Sequence, residues 1–489
     1  MKRKSPPPPL FQRGESESSL PASLKRGNST PTRHRLSKAG ASAKLRALDK
    51  EFVWHPFTQM REWETMENVI IESGEGSYLI DTDGRRYLDG TASLWTNVHG
   101  HRKKEIDAAI KAQMDRISHT TLLGLGNVPS IELAGRLATV TPAGLTKVFY
   151  SDDGSTAVEI ALKLAFQYHE QTRKANRKRR FVAFTGAYHG DTFGSMSVGE
   201  IDIFVKKYRP LLFKAFRAPY PYCYRCPLDK EPKDCAMACL YSFEAILKKN
   251  HREIAACIIE PLLAGAAGMI TSPKGFLKEV RSLTLKYDVL LIADEVATGF
   301  GRTGSLFACE QENVSPDIIC LAKGLSAGYL PLAATITTRK IYEAFLGEYT
   351  EYKSFFHGHT YTGNPLGCAA AIANLKLFEK GRVIERLQPK IKLFAGLLER
   401  FKDLPAVGDI RHIGMAAGIE LVSDRATKKP FAPAMRIGHR VCMEARKRGL
   451  IIRPLGDTVV IMPPLSIKVA ELKKMTGIIY KCIEQVTEN

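Results

Sequence analysis

Apolar residues along this chain fall into two rhythms that alternate over most of its length. Short apolar runs at Lys147-Val148-Phe149-Tyr150, Phe181-Val182-Ala183-Phe184, Ala256-Cys257-Ile258-Ile259 and Val289-Leu290-Leu291-Ile292 read as strands. Helical periodicity fills residues 154–170 and 275–286 between them, and 103–117 and 129–140 ahead of them. Strands alternating with helices predict an α/β fold with a doubly wound, mainly parallel sheet. A hairpin precedes it: Ser77-Tyr78-Leu79-Ile80 and Arg86-Tyr87-Leu88-Asp89 flank Asp81-Thr82-Asp83-Gly84, whose Asp-Gly is a strong turn signal. From about residue 376 the order becomes helix, strand, a basic helix at 433–448, then strands at 450–453 and 458–462. This predicts a large domain over 96–375 and a smaller α/β domain built from 49–95 and 376–489.

Composition changes this picture at one end only. The chain has 489 residues, 44% of them hydrophobic and 25% charged, which is ordinary for a globular protein. It has no run of eighteen apolar residues, so no membrane span is expected. The start, Met1-Lys2-Arg3-Lys4-Ser5 and four prolines, lacks the apolar stretch of a signal peptide. The formal net charge is +20, and residues 1–50 hold twelve Lys or Arg against three acids. Few large apolar residues stand there, so residues 1–48 are expected to be a disordered basic extension. A transit peptide or a nucleic-acid tail would also suit its charge; the Pro run weighs against the former. The expectation is a cytoplasmic protein with small-molecule substrates and neither nucleic acid nor membrane as partner.

Candidate chemistry gathers where strands end, as ligands do in open α/β sheets. Tyr188, Glu260, Asp294 and Lys323 all stand at or just past such ends. In Leu291-Ile292-Ala293-Asp294 and Cys320-Leu321-Ala322-Lys323, one charged residue closes an apolar run. A carboxylate and a lysine so placed suit pyridoxal 5'-phosphate: its aldehyde bonds to an amine, and its ring nitrogen needs an anion to stay protonated. Val296 would then pack against the ring face. Asp152-Asp153-Gly154-Ser155-Thr156-Ala157 opens a helix, whose free N–H groups suit a phosphate, although simple N-capping is the commoner use. Tyr188, in Gly186-Ala187-Tyr188-His189-Gly190-Asp191-Thr192, can stack on the ring, with His189 and Asp191 behind it. Cys223, Cys226, Cys235 and Cys239 have spacings seen in structural zinc sites; they are read as free thiols, with no metal expected.

These segments resemble the class III aminotransferases, fold-type I pyridoxal phosphate enzymes, from about Phe52 to the C-terminus. The resemblance implies that Lys323 carries the cofactor and moves the proton, and that Asp294 pairs with the pyridine nitrogen. It implies a phosphate cup at Gly154 and Ser155, and Tyr188 against the ring. In His357-Gly358-His359-Thr360-Tyr361-Thr362-Gly363, it implies that Thr360 and His359 reach the phosphate of a neighbouring subunit's cofactor, with Gly358 near substrate. Many relatives have Pro where His359 stands. A homodimer with shared active sites follows.

Within the family, Trp54-His55-Pro56-Phe57-Thr58-Gln59-Met60 and Leu450-Ile451-Ile452-Arg453-Pro454-Leu455-Gly456 resemble the branch that aminates 8-amino-7-oxononanoate in biotin synthesis. Arg453 would bind the substrate carboxylate, for which a planar guanidinium is apt. Phe57 and Leu94-Trp95 stand where branch members that use S-adenosylmethionine carry Tyr and Trp-Trp. The lost hydroxyl and indole lean the donor towards lysine, with S-adenosylmethionine as the other choice. An ornithine- or GABA-type ω-amino acid aminotransferase is the rival reading. A basic nucleic-acid-binding protein on a decayed enzyme fold is a second rival, opposed by the presence of both Asp294 and Lys323.

Overall fold

The computed structural model describes residues 38–172 and 177–488. The chain divides into two compact units, Met1–Asn68 and Val69–Asn489. In the first, helix Lys38–Phe52 is followed by the short helix Met60–Thr65. Asp49 ties them: one carboxylate oxygen lies 2.9 Å from His55 Nε2, and the other accepts from Trp63 Nε1 at 2.8 Å. The expected disordered extension is corrected here. Residues 1–37 lie outside the described residues, but 38–48 are helical. Their Ala, Leu, Lys and Arg are strong helix formers, and no proline interrupts them.

In the second unit, seven strands form the main sheet. Their spatial order is Leu145–Ser151, Ala333–Thr338, Ile318–Leu321, Leu290–Asp294, Ile254–Ile259, Arg180–Phe184 and Phe216–Ala218. All are parallel except Ala333–Thr338, which runs antiparallel to both neighbours. The central strands Ile254–Ile259, Leu290–Asp294 and Ile318–Leu321 are buried at every position. This is why their sequences read as unbroken apolar runs rather than alternating ones. Helix Gly154–Thr172 packs Ile160, Ala161, Leu164, Ala165 and Tyr168 inward at helical spacing.

Register decides what meets at the sheet's carboxyl edge. Ala293 pairs with Ile259, so Asp294 comes level with Glu260. Asp294 itself pairs with Cys320, three residues before Lys323. A one-residue slip would turn these charges to the opposite face of the sheet.

Three smaller sheets complete the unit, the least of them the two-stranded pair Leu263–Ala264 and Ile270–Thr271. Ile71–Glu75, Tyr78–Asp81 and Arg86–Asp89 form an antiparallel meander, and Leu450–Ile451 adds to its edge in parallel. Val407–Ile413, Ala416–Leu421, Thr458–Ile461 and Arg453–Leu455 form the third sheet, antiparallel throughout. The expected strand 450–453 is therefore split between two sheets at Ile452. Pro454 cannot donate to a ladder, which suits the edge position of Arg453–Leu455. The expected helix 433–448 starts only at Ile437, because Arg436 adopts φ 48°. The expected boundaries at 48/49, 95/96 and 375/376 do not coincide with the division at residue 68, and the last falls inside helix Pro365–Gly381. That helix runs on to Arg382, where φ of 45° breaks it. Among the described residues no helix is long and apolar enough to cross a membrane.

The antiparallel sheet is pinned by a buried charge cluster. Glu420 accepts from Arg411 Nη1 and from Arg225 Nε, both at 2.6 Å, and from the Tyr222 hydroxyl. Burial alone would raise the Glu420 pKa, but Tyr222, Arg411 and Arg225 outweigh it and hold it below the usual carboxylate value. A lowered folded pKa stabilises above the unfolded value and loses that stabilisation as pH falls through the folded one. Glu420→Gln is therefore expected to cost about 3 kcal/mol at pH 7, the scale of a broken buried pair. Denaturant titration should show that difference shrinking as pH falls below 4.5, the ordinary value of the carboxyl.

Candidate active site

A cleft of about 460 Å³ opens at the carboxyl edge of the main sheet. Gly154, Ser155, Tyr188, Asp294, Val296 and Lys323 all line it, as does Trp95. All but Trp95 stand at or just past the ends of main-sheet strands; Trp95 follows Arg86–Asp89 of a smaller sheet.

Asp294 ends its strand buried, only 4% exposed. His189 Nδ1 donates to its Oδ2 at 2.7 Å, and the amide of Val296 donates to its Oδ1 at 3.1 Å. The other ring nitrogen of His189, Nε2, is buried without a hydrogen-bond partner. Glu260 is also buried; its carboxylate accepts from the amides of Tyr188 at 3.2 Å and Gly265 at 3.0 Å. Burial pushes the Glu260 carboxyl up to about 7; Asp294 adds to this, and His189 opposes it. Sequence reasoning noted Glu260 at a strand end but gave it no role; the signal lies in its burial beside a second carboxylate.

Lys323 projects from a tight turn, and its Nζ stands 5.6 Å from the centroid of the Trp95 ring. Burial lowers its pKa, while Asp294 and Glu260 pull the other way. A lysine of lowered pKa has more of the neutral amine that nucleophilic and base chemistry needs. Trp95 is held by an unusual backbone: Ala92, Ser93 and Trp95 all have φ between 49° and 65°. Asp89 anchors that segment by accepting from the Ser93 amide at 2.8 Å.

The opposite wall is the start of helix Gly154–Thr172. Asp153 caps it, accepting from the Thr156 amide at 3.0 Å. Capping and an anion-binding helix start coexist here, since Gly154 and Ser155 still face the cleft. Packing requires the glycine: a Cβ at residue 154 would lie 2.6 Å from Val296 Cγ1. At Gly190, whose φ is 125°, a Cβ would lie closer still to Ser155 Oγ, which accepts from the Asp191 amide at 3.2 Å. The Tyr188 hydroxyl donates to Asp191 Oδ2 at 2.8 Å, which fixes the ring in the cleft wall.

The remaining expected residues lie elsewhere. Gly358, His359 and Thr360 line a second cavity of about 1190 Å³, with Leu122, Leu123 and Phe356 among its other walls. His359 Nδ1 nevertheless reaches Asp152 Oδ2 at 2.7 Å, and Asp152 lines the first cleft. Arg453 is exposed on its edge strand and does not line the cleft. Phe57 belongs to the first unit, with an exposed ring and φ of 51°. Cys223, Cys226, Cys235 and Cys239 line one small cavity together, and all four are free thiols. Among the described residues no group of three or more His, Cys, Asp or Glu could hold a metal ion.

The main cleft fits pyridoxal phosphate on its own chemistry. It offers an amine of lowered pKa, a buried carboxylate for a ring nitrogen, a branched aliphatic and a tyrosine for the ring faces, and an open helix start for the phosphate.

Comparisons with known proteins agree with this chemistry. The family described as "Aminotransferase class-III" matches residues 59–483. A protein of Nitratidesulfovibrio vulgaris called adenosylmethionine-8-amino-7-oxononanoate aminotransferase is 56% identical over 452 residues, 92% of this chain and 83% of that protein. A Geobacter sulfurreducens protein of the same name is 55% identical, over 91% of this chain and 98% of its own length. The crystal structure of the enzyme so named from Methanocaldococcus jannaschii has a TM-score of 0.86 at 47% identity, covering 91% of this chain and 99% of that one. The Pseudomonas jessenii ω-transaminase in complex with PMP has the same TM-score at 31% identity, covering 91% and 98%.

The contact between Gly154 and Val296 yields a test. Gly154→Ala should weaken pyridoxal phosphate binding about ten- to a hundredfold, the effect of about 1–3 kcal/mol of overpacking. Val296 is β-branched and cannot swing aside freely. Adding Val296→Ala should recover part of the affinity, because it removes the collision together with one contact to the ring, as measured by cofactor dissociation during dialysis.

Proposed function

The chain belongs to the class III aminotransferases, which are pyridoxal phosphate enzymes, and we propose that it converts 8-amino-7-oxononanoate to 7,8-diaminononanoate in biotin biosynthesis. The observation that carries this is the joining of one cleft, with Lys323 facing Asp294 and Glu260, to relatives of 46–56% identity named for that substrate over most of the chain.

When bound, pyridoxal phosphate supplies an aldehyde that takes up the amino group and a ring that holds the electron pair left at the reacting carbon. Lys323 is the amine for attachment, and afterwards Nζ moves the proton at the reacting carbon. Its lowered pKa, caused by burial, lets it take a proton and return it. Asp294, held by His189, is the anion for the ring nitrogen. Val296 and Tyr188 hold the ring plane between them. Gly154 and Ser155 receive the phosphate at the helix start.

Arg453 is assigned to the substrate's distal carboxylate, on the strength of its Arg-Pro context. For the amino donor, the names of the relatives favour S-adenosylmethionine. Lysine is the second reading. It is favoured by Leu94, an alkyl side chain in the cleft wall beside Trp95 where a second indole would offer a stacking surface. A homodimer is supported by the apolar side chains exposed around the second cavity, Leu123, Leu125, Ile131 and Phe356, which a second copy would cover. Thr360 and His359 on that same surface are assigned to the neighbouring subunit's phosphate.

Two experiments test this reading. Lys323→Ala should abolish turnover and shift the visible band of the bound cofactor to that of the free aldehyde, and ordinary activity in it would refute the assignment. Stopped-flow absorbance with each donor decides between S-adenosylmethionine and lysine; the donor that converts the cofactor to its aminated form faster is the physiological one. In the same assay Arg453→Ala should raise the KM for the keto acid ten- to a hundredfold, equivalent to about 1.5–3 kcal/mol for one hydrogen bond to a charged group. An unchanged KM would remove Arg453 from the site.

A further inference from the structure

The turn that carries Lys323 needs support beyond the sheet. Lys323 opens the short 3-10 turn Lys323–Ser326 with φ of 38°, and Ala327 follows it at 53°. A non-glycine residue in this left-handed region costs about 1–3 kcal/mol and persists only where its neighbours enforce it. On one side the enforcement is packing: a Cβ on Gly324 would meet Phe300 Cβ at 2.8 Å.

On the other side it is a hydrogen-bonded amide. Asn374 lies in helix Pro365–Gly381 among alanines and Leu375, and is fully buried. Its Nδ2 donates to the carbonyls of Gly324 at 2.8 Å and Leu325 at 2.9 Å, the two residues after the lysine. Its Oδ1 lies 2.8 Å from His99 Nε2. Because Oδ1 can only accept, Nε2 carries the proton, and this bond fixes which way the amide faces. Burial takes the His99 pKa down to about 4, so a neutral ring supplies the bond near pH 7. A hydrocarbon would fill the same space without the desolvation cost of a buried amide. What only the amide can do is hold the two carbonyls.

We propose that Asn374 and His99 are positioning residues for Lys323: the imidazole orients the amide, the amide clamps the turn, and the turn aims Nζ into the cleft. The proposal rests on the reading of Lys323 as the cofactor's amine and extends it to residues outside the cleft wall.

The test uses the holoenzyme with Asn374→Leu, Asn374→Asp, His99→Leu and His99→Gln. Each variant is measured for bound cofactor, thermal unfolding, kcat, KM, and the midpoint of the pH titration of the cofactor's visible absorbance. A purely structural loss would lower the unfolding temperature and leave the folded enzyme's titration in place. The expected result is cofactor retention, a kcat at least tenfold lower with KM within about twofold, and a displaced midpoint in both Asn374 variants. His99→Gln, which keeps an N–H donor, should stay within about threefold of wild-type kcat, while His99→Leu should fall with the Asn374 variants. Wild-type kcat and an unmoved midpoint in a folded Asn374 variant would overturn the proposal. If the Asn374 variants do not fold, the His99 pair decides: equal kcat in the two overturns it, and impairment confined to His99→Leu supports it. Lys323→Ala separates the two layers. If it keeps turnover, the reading of the lysine fails; if it loses turnover while the Asn374 variants behave as wild type, only the positioning fails.

Discussion

A carboxylate that closes a wholly buried strand is costly unless something holds it, and the 2.7 Å bond between Asp294 and His189 is what the rest of the cleft depends on. Asp294 is level with Glu260 across one strand pair and paired with Cys320 across the other. Burial pushes Glu260 up towards neutrality, with Asp294 adding to the shift and His189 opposing it. Lys323 then stands near both carboxylates in a site whose burial favours its neutral form. This balance suits the double role, nucleophile and proton carrier, proposed for the lysine.

Close packing sets the shape around these charges. Gly154 against Val296, Gly190 against Ser155 and Gly324 against Phe300 are three places where a single methyl group would collide. Each lies beside a residue assigned to cofactor or substrate. The backbone approaches the ligand space only because these side chains are missing, and Val296, stiff at its branch, turns the absence into a fixed distance. Trp95 adds a wall whose left-handed backbone is held by the buried Asp89.

Much of this was legible from residue order. Unbroken apolar runs ending in Asp294 and Lys323 foretold a parallel sheet with chemistry at its carboxyl edge, because that edge is where such strands release their chain into loops. Gly154 and Ser155 were readable as a helix start after a strand, and Tyr188 as a residue of a Gly-rich turn. The mistakes fell where sequence carried composition but not context. Residues 38–48 share the basic charge of the segment before them, yet their alanines and leucines make a helix, since local propensity outweighs net charge over eleven residues. The strand expected at 450–453 had the right composition but serves two sheets, a division that no local pattern encodes.

The sequence by itself determined the element types and singled out Lys323 and Asp294 as candidate amine and anion at one edge of the sheet, because periodicity and strand-end charges are local properties. Only the tertiary structure decided which distant groups meet. His189 reaches Asp294 across 105 residues, His359 reaches Asp152 across 207, and His99 reaches Asn374 across 275. The physical reason is that hydrogen bonds and desolvation depend on distance in space. A histidine or an asparagine written in the chain carries no mark of its partner until register and packing close the gap.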